Sequence, residues 1–186
     1  LQNPLRWDAE RGLIKRPFTI DTWDFEYGAT TIDPESGKPA PRHWIDDKTI
    51  WGVFHGDNTG MAQALRMLAI LEDRVGDPNL ATTWRALADG LMRNLNAVSW
   101  NGAFYRHHVP AQPFEIPGVD GELQLSLSNA YALNRGVLTP EQGQAIVDEY
   151  IERSKTTRAF AEWFSIDPPF PQGSYGLAGR SGEIPG

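Results

Sequence analysis

From residue 61 to residue 78 the chain reads Met-Ala-Gln-Ala-Leu-Arg-Met-Leu-Ala-Ile-Leu-Glu-Asp-Arg-Val-Gly-Asp-Pro. Apolar residues such as Leu65 and Leu68 recur at the three- and four-residue spacing of a helix face. The pattern predicts a helix over residues 57–75 that is buried on two sides. The Gly-Asp-Pro sequence at 76–78 ends this helix and supplies an N-cap and a first-turn proline for another.

A second helix is predicted over residues 79–98, because Trp84, Leu87 and Leu91 fall on one face. With its short connection to the first helix, it forms an antiparallel αα-hairpin. We expect Leu65 and Leu68 of the first helix to be buried against it.

A further pair of helices follows. Residues 123–135 are predicted to be helical, and Thr139-Pro140-Glu141-Gln142 is a capping box that opens a helix over 140–154. The predicted buried residues of this pair are Ala130, Tyr131, Leu133 and Ile146.

The connections carry aromatic residues and turn signals. The sequence Trp100-Asn101-Gly102 predicts a short β-hairpin between the two helix pairs. Residues 28–50 and 165–186 are rich in Pro, Gly and Ser, and we read them as long loops. Long ordered loops on a helical scaffold usually carry function.

Composition excludes several classes of partner. The 186 residues are 40% apolar and 22% charged, as in globular proteins generally. The net charge is −7 without a basic run, so we expect no nucleic-acid partner. No apolar run approaches the ~20 residues that span a bilayer, so no membrane partner is expected.

The chain contains no cysteine and no nucleotide-binding glycine motif, and we expect no cofactor. It opens on Leu-Gln-Asn-Pro, which we read as the start of a piece of a longer protein.

Two stretches mix carboxylates with aromatic rings. Residues 17–27 read Pro-Phe-Thr-Ile-Asp-Thr-Trp-Asp-Phe-Glu-Tyr, and residues 51–60 read Trp-Gly-Val-Phe-His-Gly-Asp-Asn-Thr-Gly. Aromatic rings offer flat apolar faces to a sugar ring, while Asp, Asn and His bind its hydroxyls. Paired carboxylates can also break a glycosidic bond. An oligosaccharide or glycoside is therefore the predicted substrate.

Asp24 is the first candidate acid, because its neighbours Trp23 and Phe25 would desolvate it. Desolvation raises the pKa of a carboxyl group and prepares it as a general acid. Asp21 lies three residues earlier and is the second candidate, although it can equally cap a helix that follows it. Trp23 is the candidate sugar-stacking residue of this run.

In the second stretch, Trp51 is a candidate for stacking, and His55, Asp57 and Asn58 are candidates for binding hydroxyls. The alternative is that Asp57, Asn58 or the following threonine caps the predicted helix. Both roles can hold at once.

The remaining candidates lie later in the chain. His107 and His108 are adjacent rather than four residues apart, so no metal site is predicted, and His108 or Arg106 is expected to face the cleft. Glu183, flanked by Gly182 and an Ile-Pro-Gly end, is the candidate second carboxylate.

Five motifs together resemble one family of enzymes. They are Asp8 with Gly12-Leu13-Ile14, Asp21-Thr22-Trp23-Asp24-Phe25, Gly56-Asp57-Asn58-Thr59-Gly60-Met61, Trp100-Asn101-Gly102 with Phe104-Tyr105, and Leu127-Ser128-Asn129-Ala130-Tyr131. In the order helix, short turn, helix, aromatic loop, they resemble the six-hairpin, or (α/α)6-barrel, glycosidases of the trehalase-like and processing-glucosidase-like kinds. The resemblance implies an all-α fold, in which helical hairpins form an incomplete (α/α)6 toroid with long aromatic loops and a short β-hairpin. It also implies that residues 1–186 are part of a single catalytic domain, truncated at both ends, whose partner is the remainder of the same barrel.

The resulting prediction is a glycoside hydrolase with two catalytic carboxylates. Asp24 or Asp21 would protonate the leaving oxygen, and Glu183 or a residue beyond this chain would activate water. The resemblance implies an inverting enzyme, which needs the carboxyl groups roughly 6.5–9.5 Å apart. The alternatives are another carbohydrate enzyme, namely an epimerase, lyase or phosphorylase, and a non-catalytic sugar-binding helical module.

Overall fold

The computed structural model describes residues 3–17, 31–32, 39–40, 50–113, 115, 118–156 and 166–169. The elements of that part of the chain are, in order, β1 (Trp7–Asp8), β2 (Leu13–Ile14), β3 (Arg16–Pro17), β4 (Thr31–Ile32), β5 (Pro39–Ala40), β6 (Trp51–Phe54), α1 (His55–Val75), α2 (Pro78–Ser99), β7 (His108–Pro110), β8 (Leu125–Ser126), α3 (Ser128–Asn134), α4 (Pro140–Ser154) and β9 (Ile166–Asp167).

The prediction of an all-α fold is wrong. The described residues form four helices and four small antiparallel sheets: the pairs β1–β2, β4–β5 and β8–β9, and the three-stranded β3–β6–β7. They show no (α/α)6 toroid. The strands are two to four residues long; β4, β5 and β9 lie in segments predicted to be loops, and β8 lies in the segment predicted to be the helix over 123–135. Their partners are mostly distant in sequence, so a local pattern carries little information about the pairing.

The predicted hairpin of two long helices is confirmed. Helix α1 ends at Gly76, and Asp77 caps α2 by accepting the Asn79 N–H at 2.8 Å, with proline at the first helical position. Local capping chemistry therefore fixes this connection, as its sequence predicts.

The main core lies between α1 and α2. Small and branched residues of α1 meet the corresponding stripe of α2; the stripes are Ala62, Leu65 and Ala69 in α1 and Ala88, Leu91 and Leu95 in α2. Burying a leucine side chain contributes roughly 1.5–3 kcal/mol. The predicted burial of Leu65 and Leu91 is confirmed.

Leu68 and Leu87 are exceptions to the predicted core, since each is 37% exposed, and Trp84 is only partly buried. The buried stripe of α1 consists of Ala62, Leu65 and Ala69. Consecutive helical residues are about 100° apart, so Leu68 points to one side of this stripe. The prediction that α1 is buried on two sides is therefore wrong.

The second helix pair is only partly as predicted. Helix α3 begins at Ser128, because Leu125–Ser126 pairs with Ile166–Asp167 as a strand instead. Tyr131 is 56% exposed and Leu133 37% exposed, against the expected burial. In contrast, α4 has the predicted capping box, and its Ile146 is fully buried.

Two further observations complete the fold. The turn at Asn101-Gly102 is closed by a single antiparallel bridge between Trp100 and Tyr105, a reduced form of the predicted hairpin. Among the described helices, none combines the length and the apolar character needed to cross a bilayer.

Candidate functional site

The three-stranded sheet has two faces that differ in chemistry. Side chains alternate along a strand, and residues directly opposite each other on neighbouring strands share a face. The register pairs Phe54 with His108 and Gly52 with Arg16, so these four residues share one face, which we call the outer face. Val53 belongs to the opposite face and is fully buried in the main core.

The Phe54 ring is the centre of the outer face. The guanidinium carbon of Arg16 lies 3.8 Å from its centroid, a close cation–π contact. The His108 imidazole stacks on the same ring, with 5.7 Å between centroids, and His107 meets it edge-on at 5.4 Å. These contacts fix the direction of the Arg16 side chain.

Arg16 also holds a carboxylate. Its Nε lies 3.0 Å from Oδ2 of Asp57, which belongs to the first turn of α1. The Asp57 side chain is 37% exposed, so it remains open to a ligand. Its negative charge is favourable at a helix N-terminus. Because a carboxylate accepts hydrogen bonds and a guanidinium donates them, the pair suits a hydroxyl group, which does both.

The two histidines beside Arg16 are neutral near pH 7. Burial, together with a smaller effect of the Arg16 charge, lowers the pKa of His107 to about 4. Burial, followed by the charges of His107, Arg106 and Arg16, holds the pKa of His108 well below its ordinary value. A neutral imidazole has one donor and one acceptor nitrogen. Of the two, His108 is the predicted binding residue, and it shares the outer face with Arg16.

His55 lies in the interior, although its sequence predicts a hydroxyl-binding role. It is fully buried, its Nε2 is 3.1 Å from Ser126 Oγ, and its ring stacks on Tyr105 at 5.5 Å. Burial lowers the pKa of this imidazole to about 3, with smaller effects from His107 and Arg135. His55 therefore joins the start of α1 to β8 as a neutral side chain.

Asn58 is also fully buried. Its Oδ1 accepts the Ile14 N–H at 2.9 Å, and its Nδ2 donates to the carbonyl oxygens of Ile14 and Phe54 at 3.0 Å each. The amide thus ties β2 to the start of α1. The alternative prediction, that Asp57 or a neighbour caps the helix, is wrong: Phe54 is the N-cap, and no side chain caps it.

Trp51 lies on the core-facing side of the sheet by the same alternation, away from His108. Its ring faces two cations, with Lys15 Nζ at 5.6 Å and the Arg6 guanidinium at 5.9 Å from the centroid. The Trp51 N–H donates to Gln112 Oε1 at 3.3 Å, and Gln112 lines an open cavity of about 690 Å³. The structure therefore places Trp51 and the Arg16–Asp57 pair on different faces.

Arg135, at the end of α3, belongs to the site but has no sequence signal. Its Nη1 donates to the Gly56 carbonyl at 2.7 Å and to Thr59 Oγ1 at 2.6 Å. Thr59 Oγ1 in turn donates to the His55 carbonyl at 2.9 Å. Neither Arg135 nor Arg16 stands in a sequence motif, so only their tertiary contacts identify them as residues of the candidate site.

The predicted residues Asp21, Trp23, Asp24 and Glu183 lie outside the described residues. Both the predicted catalytic carboxylates and the distance between them therefore stay predictions. Within the described part, no cluster of three or more His, Asp and Glu side chains is arranged to hold a metal ion.

Comparison with known proteins adds no identification. No protein-family model matches the chain, and no curated protein matches it. The resemblance to six-hairpin glycosidases accordingly rests on the sequence motifs alone.

Proposed function

We propose that the protein is a glycoside hydrolase with two catalytic carboxylates, and that Asp57 and Arg16 bind hydroxyl groups of its sugar substrate. The partly exposed Asp57 carboxylate, the guanidinium held against it and the neutral His108 on the same sheet face as Arg16 supply donors and acceptors. The chain's net charge of −7 is compatible with a neutral ligand and unfavourable for an anionic one. This proposal does not depend on a helical toroid.

One observation carries the proposal. Pro17, the last residue of β3, pairs with Trp51, the first residue of the central strand β6. Asp21 and Asp24 follow Pro17 by only four and seven residues. The acidic and aromatic run therefore continues directly from the strand that carries Arg16. This connection supports a single site for both sets of residues.

The proposed chemistry assigns Asp24, or Asp21 in its place, to protonate the leaving oxygen of the glycosidic bond. Glu183, or a residue beyond this chain, accepts a proton from the water that attacks the anomeric carbon. An inverting reaction needs room for that water between the carboxyl groups. Asp57 and Arg16 hold the sugar and take no part in proton transfer.

The cations near the site favour water over phosphate as the attacking molecule. Arg106 donates to the Glu122 carboxylate and to the Val98 carbonyl, and Arg16 is paired with Asp57. The charge of each arginine is compensated by a carboxylate, whereas phosphorolysis needs an uncompensated cation for the phosphate, so this pairing supports hydrolysis.

The test is hydrolysis of a panel of nitrophenyl glycosides and natural disaccharides by the full chain, with Asp57→Asn and Asp89→Asn as a matched pair. Asp89 is a carboxylate that also pairs with an arginine, Arg66, at 3.2 Å, but it is exposed on the helical hairpin. A hydrogen bond to a charged group is worth about 1.5–3 kcal/mol. We therefore expect D57N to raise KM about tenfold or more, and D89N to leave it unchanged.

Three results would contradict the proposal in different ways. Equal kinetics for the two variants would remove Asp57 from the site. Sugar binding by calorimetry without turnover would identify a binding module instead of an enzyme. A wild-type chain that neither binds nor cleaves any member of the panel would overturn the proposal as a whole.

A further inference from the structure

We propose that Arg135 is a positioning residue for the sugar-binding carboxylate Asp57: it fixes the first turn of α1, on which Asp57 is carried. The inference deepens the proposed function and rests on it. Arg135 itself acts through the helix and is not proposed to contact the substrate.

The contacts of Arg135 bracket Asp57. Its Nη1 reaches the carbonyl of Gly56, just before Asp57, and the hydroxyl of Thr59, two residues after it. A Cβ on Gly60 would lie 3.5–3.6 Å from the guanidinium atoms, so the planar group rests directly on this turn.

The first turn of α1 needs such support, because no side chain caps this helix. A side-chain cap ordinarily fixes the orphan N–H groups of the first turn. The neighbouring helix α3 holds this turn through groups other than its N–H groups: Ser128 Oγ lies 2.7 Å from where a Gly56 Cβ would be, and Arg135 donates to the Gly56 carbonyl from the other end of α3. The direction in which Asp57 points therefore depends on α3.

Charge adds to this geometry. Burial lowers the pKa of Arg135, and the Asp57 carboxylate acts against that shift. The two groups therefore attract each other, and Arg16 contacts the same carboxylate at 3.0 Å. An arginine retains its charge in proteins, so this attraction persists as long as the Asp57 carboxylate is ionised.

Arg66 provides a matched control. It also joins α1 to the end of α3, since its Nη1 donates to the Gly136 carbonyl at 2.7 Å, and its Nη2 contacts Asp89 at 3.2 Å. Replacing either arginine by glutamine removes one charged link between the same two helices. Only Arg135 binds the turn that carries Asp57.

The experiment compares R135Q, R135K and R66Q in the full chain, using a substrate that the wild type hydrolyses. We expect R135Q to raise KM at least fivefold with kcat changed less than twofold, and R66Q to change neither. R135K keeps the charge but not the planar fork, so it should fall between R135Q and wild type. In a D57N background, R135Q should add little to KM, since the positioned group is already lost.

Equal KM values for R135Q and R66Q would overturn the inference, as would an R135Q effect that persists in full in the D57N background. If R135Q fails to fold, R135K decides, and a wild-type KM for R135K would count against the inference. The carboxylate ¹³C chemical shift of Asp57 is a readout that needs no substrate. This chemical shift should change in R135Q and not in R66Q. Failure of the proposed function would appear instead as a wild-type chain that neither binds nor hydrolyses the sugar substrates.

Discussion

Single residues in the His55-Gly56-Asp57-Asn58-Thr59 run have separate roles. His55, Asn58 and Thr59 are fully buried, whereas the Asp57 side chain is 37% exposed. The 100° step between helical residues explains this division, because positions 55, 58 and 59 share a face that position 57 does not. Asp57 is therefore the member of the run that a ligand can reach.

At Asp24 we predict a dependence on the leaving group. If this residue is the general acid, Asp24→Asn should abolish hydrolysis of substrates with poor leaving groups, since these need protonation in the transition state. Nitrophenyl glycosides should be much less affected. Steady-state kinetics on both substrate types, with Asp21→Asn in parallel, measure the difference. An equal loss on both types would indicate binding or folding, and no loss would leave Asp21 as the acid to test.

At the scale of the element, we predict that two glycine-to-alanine substitutions in the first turns of α1 change the free energy of unfolding in opposite directions. Alanine is favoured over glycine in a helix by about 1 kcal/mol. At Gly60 a new Cβ meets only ordinary contacts, so G60A should stabilise the protein by about 0.5–1 kcal/mol. At Gly56 the Cβ would lie 2.7 Å from Ser128 Oγ and 3.1 Å from its Cβ, so G56A should destabilise it by about 1–3 kcal/mol. Urea unfolding measures both, and two shifts of the same sign would contradict the contact between α1 and α3.

A second prediction concerns the start of α4. Thr139 Oγ1 accepts the Gln142 N–H at 3.2 Å, and Gln142 Oε1 accepts the Thr139 N–H at 3.2 Å. Thr139→Ala should therefore cost about 1 kcal/mol in the free energy of unfolding. Thr82→Ala is the control, because Thr82 is exposed and its hydroxyl donates to the Pro78 carbonyl of its own helix, so its effect should stay within about 0.5 kcal/mol. Similar losses for both would argue against a specific capping contribution.

The helices could be predicted from sequence where their signals are local. The Gly-Asp-Pro connection and the Thr139 capping box each specify an end through neighbouring residues, and both are present in the structure. The start of α1 could not be predicted, because its N-cap residue is Phe54, whose side chain gives no capping signal. The sheets could not be predicted either, since pairings such as Pro17 with Trp51 join short segments that are distant in sequence.

At the scale of the whole molecule, one short sheet connects stability with the candidate site. Its inner face contributes Val53 and Val109 to the core around α1 and α2, and its outer face carries Arg16, Phe54 and His108. Sequence patterns did identify Asp57 and His108 as candidates, because polar residues stood out among aromatic ones. The sequence patterns could not distinguish these two candidates from the buried His55, because His55 is held in the interior by Ser126 and Tyr105, which are distant in sequence.

The last prediction is that the whole protein loses stability as the pH falls below about 6.5. Burial lowers the pKa of His55 from 6.5 to about 3 and that of His107 to about 4. Burial also holds the pKa of His108 well below 6.5, so just below pH 6.5 the unfolded chain binds up to three protons that these imidazoles do not bind in the folded state. The free energy of unfolding then decreases by up to about 1.4 kcal/mol per pH unit for each histidine, while above pH 6.5 none of them contributes a slope.

Urea unfolding at pH 7.5, 6.5 and 5.5 measures this effect in a range where ordinary carboxylates, with pKa values near 4, remain ionised. His107→Asn should reduce the slope below pH 6.5 by about a third, because one of the three buried imidazoles is removed. The imidazole NMR signals of His55 and His107 should not shift between pH 7.5 and 5.5 in the folded protein. Constant stability over that range, or an imidazole that titrates near pH 6.5, would mean that these rings are not buried as neutral groups. Either result would also contradict the arrangement of His55 and His107 around the start of α1.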